Sequence, residues 1–347
     1  MFNPFSSTKR MIGTGAVAFA GWWTFLAPLP QTSQSNVEPT AETDAPPPGS
    51  FDHKSELFQH ANSFRQWARQ TLAHYTGDHT SPANGETNAF RPQVRIGTIH
   101  INELNQTKFR KEKVINLLRE FGRQCDLLAI QGLEANQQEV LIEWVAELTQ
   151  PNMHYDYFLG PIVGRGTEQR QFAFIYNKHK LETDRNQTYT LQDPQDLLMF
   201  DPLVAWFRVR GIDPAKAFTF TLVNMELTDP TFAQEQNLLQ EIVQSIRNDG
   251  RREDDIILAG TFECAAEQIR LCQDGWFGVL GNAPTDPSFQ KRRDNILINT
   301  RTTEEFQGKG EVFDFLRAYN LTVQDALQIS QHLPAWGEFS ALEGGFQ

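Results

Sequence analysis

Residues 256–266 read IILAGTFECAA. Four apolar residues, Ile256 to Ala259, run into Gly260, and Thr261, Phe262 and Glu263 follow. A short apolar run between Asp254-Asp255 and a glycine predicts a buried strand that ends on polar side chains. Ahead of it, "AQEQNLLQEIVQSIRN" carries Leu238, Leu239, Ile242, Val243 and Ile246 at the spacing of one helix face.

The same grammar extends in both directions. "VRIGTIHI" (94–101), "CDLLAIQ" (125–131) and "QFAFIYN" (171–177) read as strands. "LVAWFRV" and "FTFTLVNMEL" read as a strand pair turned around Gly211 and Pro214, and "NILIN" and "PAWGEFS" supply later strands. Between them, residues 108–121 place Val114, Leu117, Leu118 and Phe121 on one helix face. "VLIEWVAELT" predicts a second helix, and a third is expected near Val312 to Leu316. Strands and helices alternate, yet several strands are joined by short turns. An α/β fold with mixed, largely antiparallel sheets fits this order better than a purely parallel sheet.

The chain has 347 residues, 39% of them hydrophobic, with 26 phenylalanines available for a core. A net charge of −12 argues against a general nucleic-acid binder, whose affinity comes mainly from Lys and Arg on phosphates. Cys125, Cys264 and Cys272 are too few and too irregular for a disulfide framework or a zinc motif. Cys264 and Cys272 lie close enough in sequence to pair; buried thiols acting as small hydrophobes are the plainer expectation.

Lys9-Arg10 precede about 20 uncharged residues, at the border between a signal h-region and a membrane span. Trp22-Trp23 and the lack of a small-x-small cleavage site favour an uncleaved anchor through residues 11–29, with the main domain extracytoplasmic. A cleaved signal peptide, giving a secreted protein, is the alternative. The expected organisation is a signal-anchor or signal peptide over 1–30 and a Pro/Ser/Thr-rich linker over 31–50. A helical and loop extension follows over 51–92, then a large domain over 93–341 and a tail over 342–347.

The ordered landmarks "VRIGTIHI", "DLLAIQG", "QFAFIYN", "LVNMELTDP", "DDIILAGTFE", "RRDNILIN" and "ISQHLPAWGEF" make residues 93–341 resemble the endonuclease/exonuclease/phosphatase superfamily, the deoxyribonuclease I-like fold. That resemblance implies a four-layer sandwich, two mixed sheets face to face with helices outside. It also implies metal-assisted hydrolysis of a phosphoester by carboxylate ligands and a His–Asp pair.

Carried over position by position, the chain departs from that pattern. His100 stands for the first-strand Asn, and Gly132, after a retained Gln131, for the metal-binding Glu. Glu226 replaces the mid-chain His, and Thr261 and Glu263 replace an Asp and an Asn. Asp294 and His332 are kept, while the Asp expected to orient His332 is Gln331. A Glu that pairs with the mid-chain His becomes Arg170, opposite Glu226, with Glu168 as the rival match. Phe200 replaces an Arg that would contact phosphate.

These changes predict a dismantled hydrolytic site: glycine offers no ligand, Thr261 no negative charge, and Gln331 only a neutral dipole. Glu134, two residues on, is the one candidate to rescue the lost ligand. Glu226 is expected to be neutralised by Arg170, and Glu263 by Arg292 or Arg293, with His100 and His332 filling space. The competing expectation is a rebuilt site of His100, Glu226, Glu263, Asp294 and His332, a set suited to Mn, Fe or Zn more than Mg. "KRRD" (291–294) reads as a solvated turn, and Gly164-Arg165-Gly166 as a loop signal.

The functional expectation is a membrane-tethered domain with an inactive hydrolase site, binding an unknown protein or small-molecule ligand, with no cofactor and no nucleic acid. Its alternative is a phosphodiesterase, phosphatase or nuclease using Mg, Mn or Zn in a remodelled site. A third possibility assigns assembly to residues 51–92.

Overall fold

The computed structural model describes residues 92–345 apart from 192, 194 and 229–231. The anchor, the linker and residues 51–91 of the extension lie outside the described residues. Among the described residues no helix is long and apolar enough to cross a membrane.

The strands, in chain order, are β1 (Gln93–Leu104), β2 (Leu127–Glu134), β3 (Tyr155–Arg165), β4 (Glu168–Asn177), β5 (Leu181–Glu182), β6 (Tyr189–Thr190) and β7 (Leu203–Val209). They continue as β8 (Thr219–Glu226), β9 (Ile256–Thr261), β10 (Trp276–Gly278), β11 (Asp294–Asn299), β12 (Phe306–Val312) and β13 (Ala335–Ser340). The helices are α1 (Gln106–Phe109), α2 (Glu112–Gly122), α3 (Gln138–Leu148), α4 (Phe232–Arg247), α5 (Phe315–Ala318) and α6 (Val323–Leu327).

Two mixed sheets result. One has six strands in the order β12-β13-β1-β2-β4-β3; the other runs β10-β11-β9-β8-β7-β5, with β6 paired to β7. Within each, one pair is parallel, β1 with β2 and β8 with β9, and the remaining pairs are antiparallel. The phenylalanines explain themselves here. Phe158, Phe172, Phe174, Phe207, Phe218, Phe220 and Phe339 meet between the facing sheets. Burial of one such ring is worth about 1.5–3 kcal/mol.

A second core packs α2 and α3 on the outer face of the six-stranded sheet through Leu117, Phe121, Leu141 and Trp144. A third packs α4 on the other sheet through Leu239, Ile242 and Ile246. Covered on both faces, β2 and β9 are buried almost throughout, so their sequences are continuous apolar runs rather than alternations. Gly260 lets β9 come against β8, because a Cβ there would strike the Met225 carbonyl.

Two sequence expectations need correction. The helix expected near Val312 to Leu316 is instead the end of β12 followed by α5. The helix expected over 108–121 is broken into α1 and α2 around Arg110 and Lys111. Gly164-Arg165-Gly166, read as a loop signal, runs from the end of β3 into the turn of the β3–β4 hairpin. All three cysteines are free, so Cys264 and Cys272 do not pair.

Candidate functional site: a buried His–Asp pair flanked by two ion pairs

The polar side chains converge at one end of the sandwich, where β1, β2, β8 and β9 finish and β11 begins. Register does the placing. Glu226 lies beside Thr261 across the β8–β9 pair, and Thr261 lies beside Asp294 across β9–β11. In the other sheet His100 is level with Gln131.

His332, in the turn before β13, points Nδ1 at Asp294, 2.9 Å from Oδ2. The Thr261 hydroxyl donates to Asp294 Oδ1 at 2.7 Å. It therefore accepts from His100 Nδ1, 2.9 Å away. That network assigns His100 its proton on Nδ1 and leaves Nε2 a bare lone pair, buried without a partner. Burial, with His332 and Arg170 adding to it, holds the His100 pKa well below the ordinary imidazole value. Its ring lies flat on His332, centroids 4.1 Å apart and planes 14° apart.

His100 also explains Gly132. A Cβ built on residue 132 would fall 2.6 Å from His100 Cδ2 and 2.8 Å from Nε2, and would collide with the Ile101 carbonyl. The backbone there is left-handed, φ +76°, which favours glycine. The imidazole has taken the room that a side chain at 132 would need.

The carboxylates around this centre are engaged. Arg170 binds Glu226, which is 6% exposed, and the guanidinium sits 4.8 Å over the Phe200 ring. Burial raises the Glu226 pKa, against the pull of Arg170. Glu226 Oε2 keeps no hydrogen-bond partner. Glu168 contacts the same Arg170 from the exposed side, at 3.5 Å. Glu263, at φ +54°, turns to Arg293 at 2.8 Å. Glu134, the residue expected to supply a ligand in place of position 132, is level with Arg170 and accepts from Asn105.

Of the five residues expected in a rebuilt site, His100, Asp294 and His332 bring ligand atoms within 4.8 Å of one another. Glu226 and Glu263 are held by arginines instead. Gln331 is a correction: its backbone N–H bonds Asn102, and the carboxylate that orients His332 comes from Asp294. His100 is a second correction, since it does not sit with satisfied hydrogen bonds. "KRRD" is only partly a solvated turn, because Arg293 reaches inward to Glu263.

Sequence reading missed Ser330 and Asn224. The Ser330 hydroxyl donates to the His100 carbonyl and accepts from the His332 N–H, fixing one imidazole against the other. Asn224 accepts from Gln131 at 2.6 Å and donates to the Ile130 and Ala173 carbonyls, so Gln131 is locked into the seam between the sheets.

The superfamily's enzymes are typically divalent-metal dependent, and this site holds groups able to ligate. Their arrangement does not fit a hard cation. Both Asp294 oxygens already accept, Glu226 and Glu263 are matched by guanidinium charges, and the two imidazoles lie stacked in nearly parallel planes. Beside the centre lies a pocket of about 630 Å3, lined among others by Asn102, Asn105, Lys108, Lys111, Arg170 and Gln331.

No family model matches the sequence. Among curated proteins, human deoxyribonuclease gamma is 23% identical over 261 residues, covering 70% of this chain and 84% of the relative. Deoxyribonuclease-1-like 1 of Cricetulus griseus is 25% identical over 271 residues, covering 74% and 86%. A solved endonuclease/exonuclease/phosphatase family protein from Bacteroides thetaiotaomicron aligns at TM-score 0.44 and 15% identity, over 72% of this chain and 97% of its own. With two mixed sheets face to face, a His–Asp pair at their shared end and deoxyribonuclease-type relatives along most of their length, the chain has the deoxyribonuclease I-like fold and is similar to the deoxyribonucleases of the endonuclease/exonuclease/phosphatase superfamily.

Proposed function

We propose that this domain binds a ligand and no longer hydrolyses phosphoesters. The observation that carries the reading is the His100 imidazole in the space of a residue-132 side chain. A carboxylate ligand cannot return there without displacing it. Arg170 and Arg293 occupy the two carboxylates beside the same centre, Glu226 and Glu263, and both disfavour charge on His100. A dication would have to displace those guanidinium groups to reach either carboxylate.

The pocket beside the centre supports a small, polar, anionic ligand, because Lys108, Lys111 and Arg170 line it against one acidic residue, Glu103, in a chain of net charge −12. That charge speaks against long nucleic acid as the occupant. The uncharged run at 11–29 would tether the domain to a membrane with its bulk outside the cytoplasm, a reading that rests on the sequence alone.

A second reading, a phosphodiesterase or nuclease with a softer ion, is favoured by one feature: the unpartnered Nε2 of His100 in the cluster with Asp294 and His332. Turnover of a simple phosphodiester by the full chain, with Mg2+, Mn2+, Zn2+ or Ca2+, separates the two. No turnover with any ion, together with phosphate-compound binding lost in Lys108→Ala, supports the binding role. Metal-dependent turnover that disappears in Asp294→Asn would establish the second.

A further inference from the structure

At the opposite end of the sandwich, six residues or about 20 Å of strand from Thr261, lies a second polar cluster, two of its three carboxylates buried. Asp255 immediately precedes β9 in one sheet; Glu305 precedes β12 and Glu343 follows β13, both in the other. One carboxylate oxygen from each lies within 4.8 Å of the others. Asp255 and Glu305 are each 1% exposed.

Carboxylates brought together in this way need a compensating charge. Among the described residues, no Lys, Arg or His forms an ion pair with any of the three. What they do have are backbone donors: Gly344 N–H to Glu305 Oε1 at 2.6 Å and Thr219 N–H to Glu343 Oε2 at 3.1 Å. Asp255 Oδ1 and Glu305 Oε2 remain buried with no partner. The Thr303 hydroxyl, 2% exposed, stands beside Asp255 without the geometry of a hydrogen bond. It is a neutral oxygen outside the acidic trio, and it too lacks a partner.

We infer that Asp255, Glu305 and Glu343, with the Thr303 hydroxyl, form a site for a hard divalent cation, Ca2+ in particular, that ties the two sheets together. The donors are all oxygen, the set a hard cation takes. Calcium–oxygen distances of about 2.3–2.6 Å allow two ligands of one ion to stand up to about 5 Å apart, which matches the spacing here. Mg2+ demands a tighter octahedron and holds its waters, so three side chains from separate segments suit it less. The site is independent of the pocket beside His332 and of any reading of its function.

Calcium titration of the chelator-stripped full chain by calorimetry at pH 7.5 tests the inference. One Ca2+ per chain is expected, with at least tenfold weaker binding in Glu343→Gln, a half-exposed position that leaves the core intact. Glu305→Gln should abolish binding, and Asp294→Asn at the other end should leave it unchanged. Absence of Ca2+ binding overturns the site, as does binding that survives both Glu343→Gln and Glu305→Gln. Equal affinity for Mg2+ overturns the assignment to calcium.

Discussion

The imidazole of His100 and the missing side chain of Gly132 are two halves of one arrangement: the ring fills the volume that any Cβ on residue 132 would enter. Because β1 and β2 run parallel with His100 level with Gln131, the exchange takes place between neighbouring strands and leaves the sheet intact. The ring gains packing there and a hydrogen bond to Thr261.

Gly132→Ala is therefore expected to destabilise the domain by at least about 2 kcal/mol, combining left-handed backbone strain with overpacking. Urea unfolding measures it. Removing the ring as well, in His100→Ala/Gly132→Ala, should recover only part of the loss, since the Ile101 carbonyl still opposes a Cβ. Full recovery would show that the backbone tolerates the residue and that the ring alone excludes it.

Arg170→Met leaves Glu226 buried beside no cation. Loss of one partner of such a pair costs about 3–5 kcal/mol, and the 26% exposure of Arg170 places the expectation near the lower end. Arg170→Met/Glu226→Gln should regain most of it, with a coupling of at least about 1 kcal/mol in a double-mutant cycle. Additive single effects would mean that the two side chains are neighbours without being a pair.

The depressed pKa of His100 makes stability depend on acid. The unfolded imidazole titrates near 6.5 and the folded one well below it. Below 6.5 the unfolded chain therefore takes up a proton that the folded chain refuses. The contribution is present above pH 6.5 and is lost as pH falls through the folded pKa, at no more than about 1.4 kcal/mol per pH unit. Glu226 shifts the other way, favouring the folded state at low pH, but it is common to wild type and His100→Asn. The difference between their stability profiles isolates the histidine, and His100→Asn should be flatter between pH 6.5 and 5. Parallel profiles would place a proton on His100 in the folded protein.

What the sequence made legible follows from range. Strands buried on both faces announce themselves as apolar runs, so β2, β8 and β9 could be read directly. β12, "FQGKGEV", holds its place through backbone pairing to β13 and shows no apolar alternation. β3 was hidden by Gly160-Pro161 within it. The Arg170–Glu226 pair was legible because opposite charges replaced two partners together. The partner of His332 was not: Gln331 is adjacent in sequence, whereas Asp294 arrives from 38 residues away, on the facing sheet. Gly132 could be read as a lost ligand, but its occupation by His100 depends on the β1–β2 register, which no local pattern encodes.

Thr261 gives the sharpest test of what the centre has become, because its hydroxyl joins His100 to Asp294 by accepting from one and donating to the other. Thr261→Val keeps the shape and strands the His100 N–H, and should cost about 1–3 kcal/mol; Thr261→Ser keeps the bridge and should cost less than about 1 kcal/mol. Thr261→Asp would set a second carboxylate against Asp294, where two negative charges with no added cation repel. It should destabilise the protein at pH 7.5 more than at pH 5, where one proton can be shared. Rescue of that variant by Mn2+ in a thermal-shift titration would mean that a metal can still be seated despite Arg170, Arg293 and the His100 ring. Failure of rescue, with the pH dependence intact, would mean that restoring one ligand is not enough and that the arginines and the ring now define the centre.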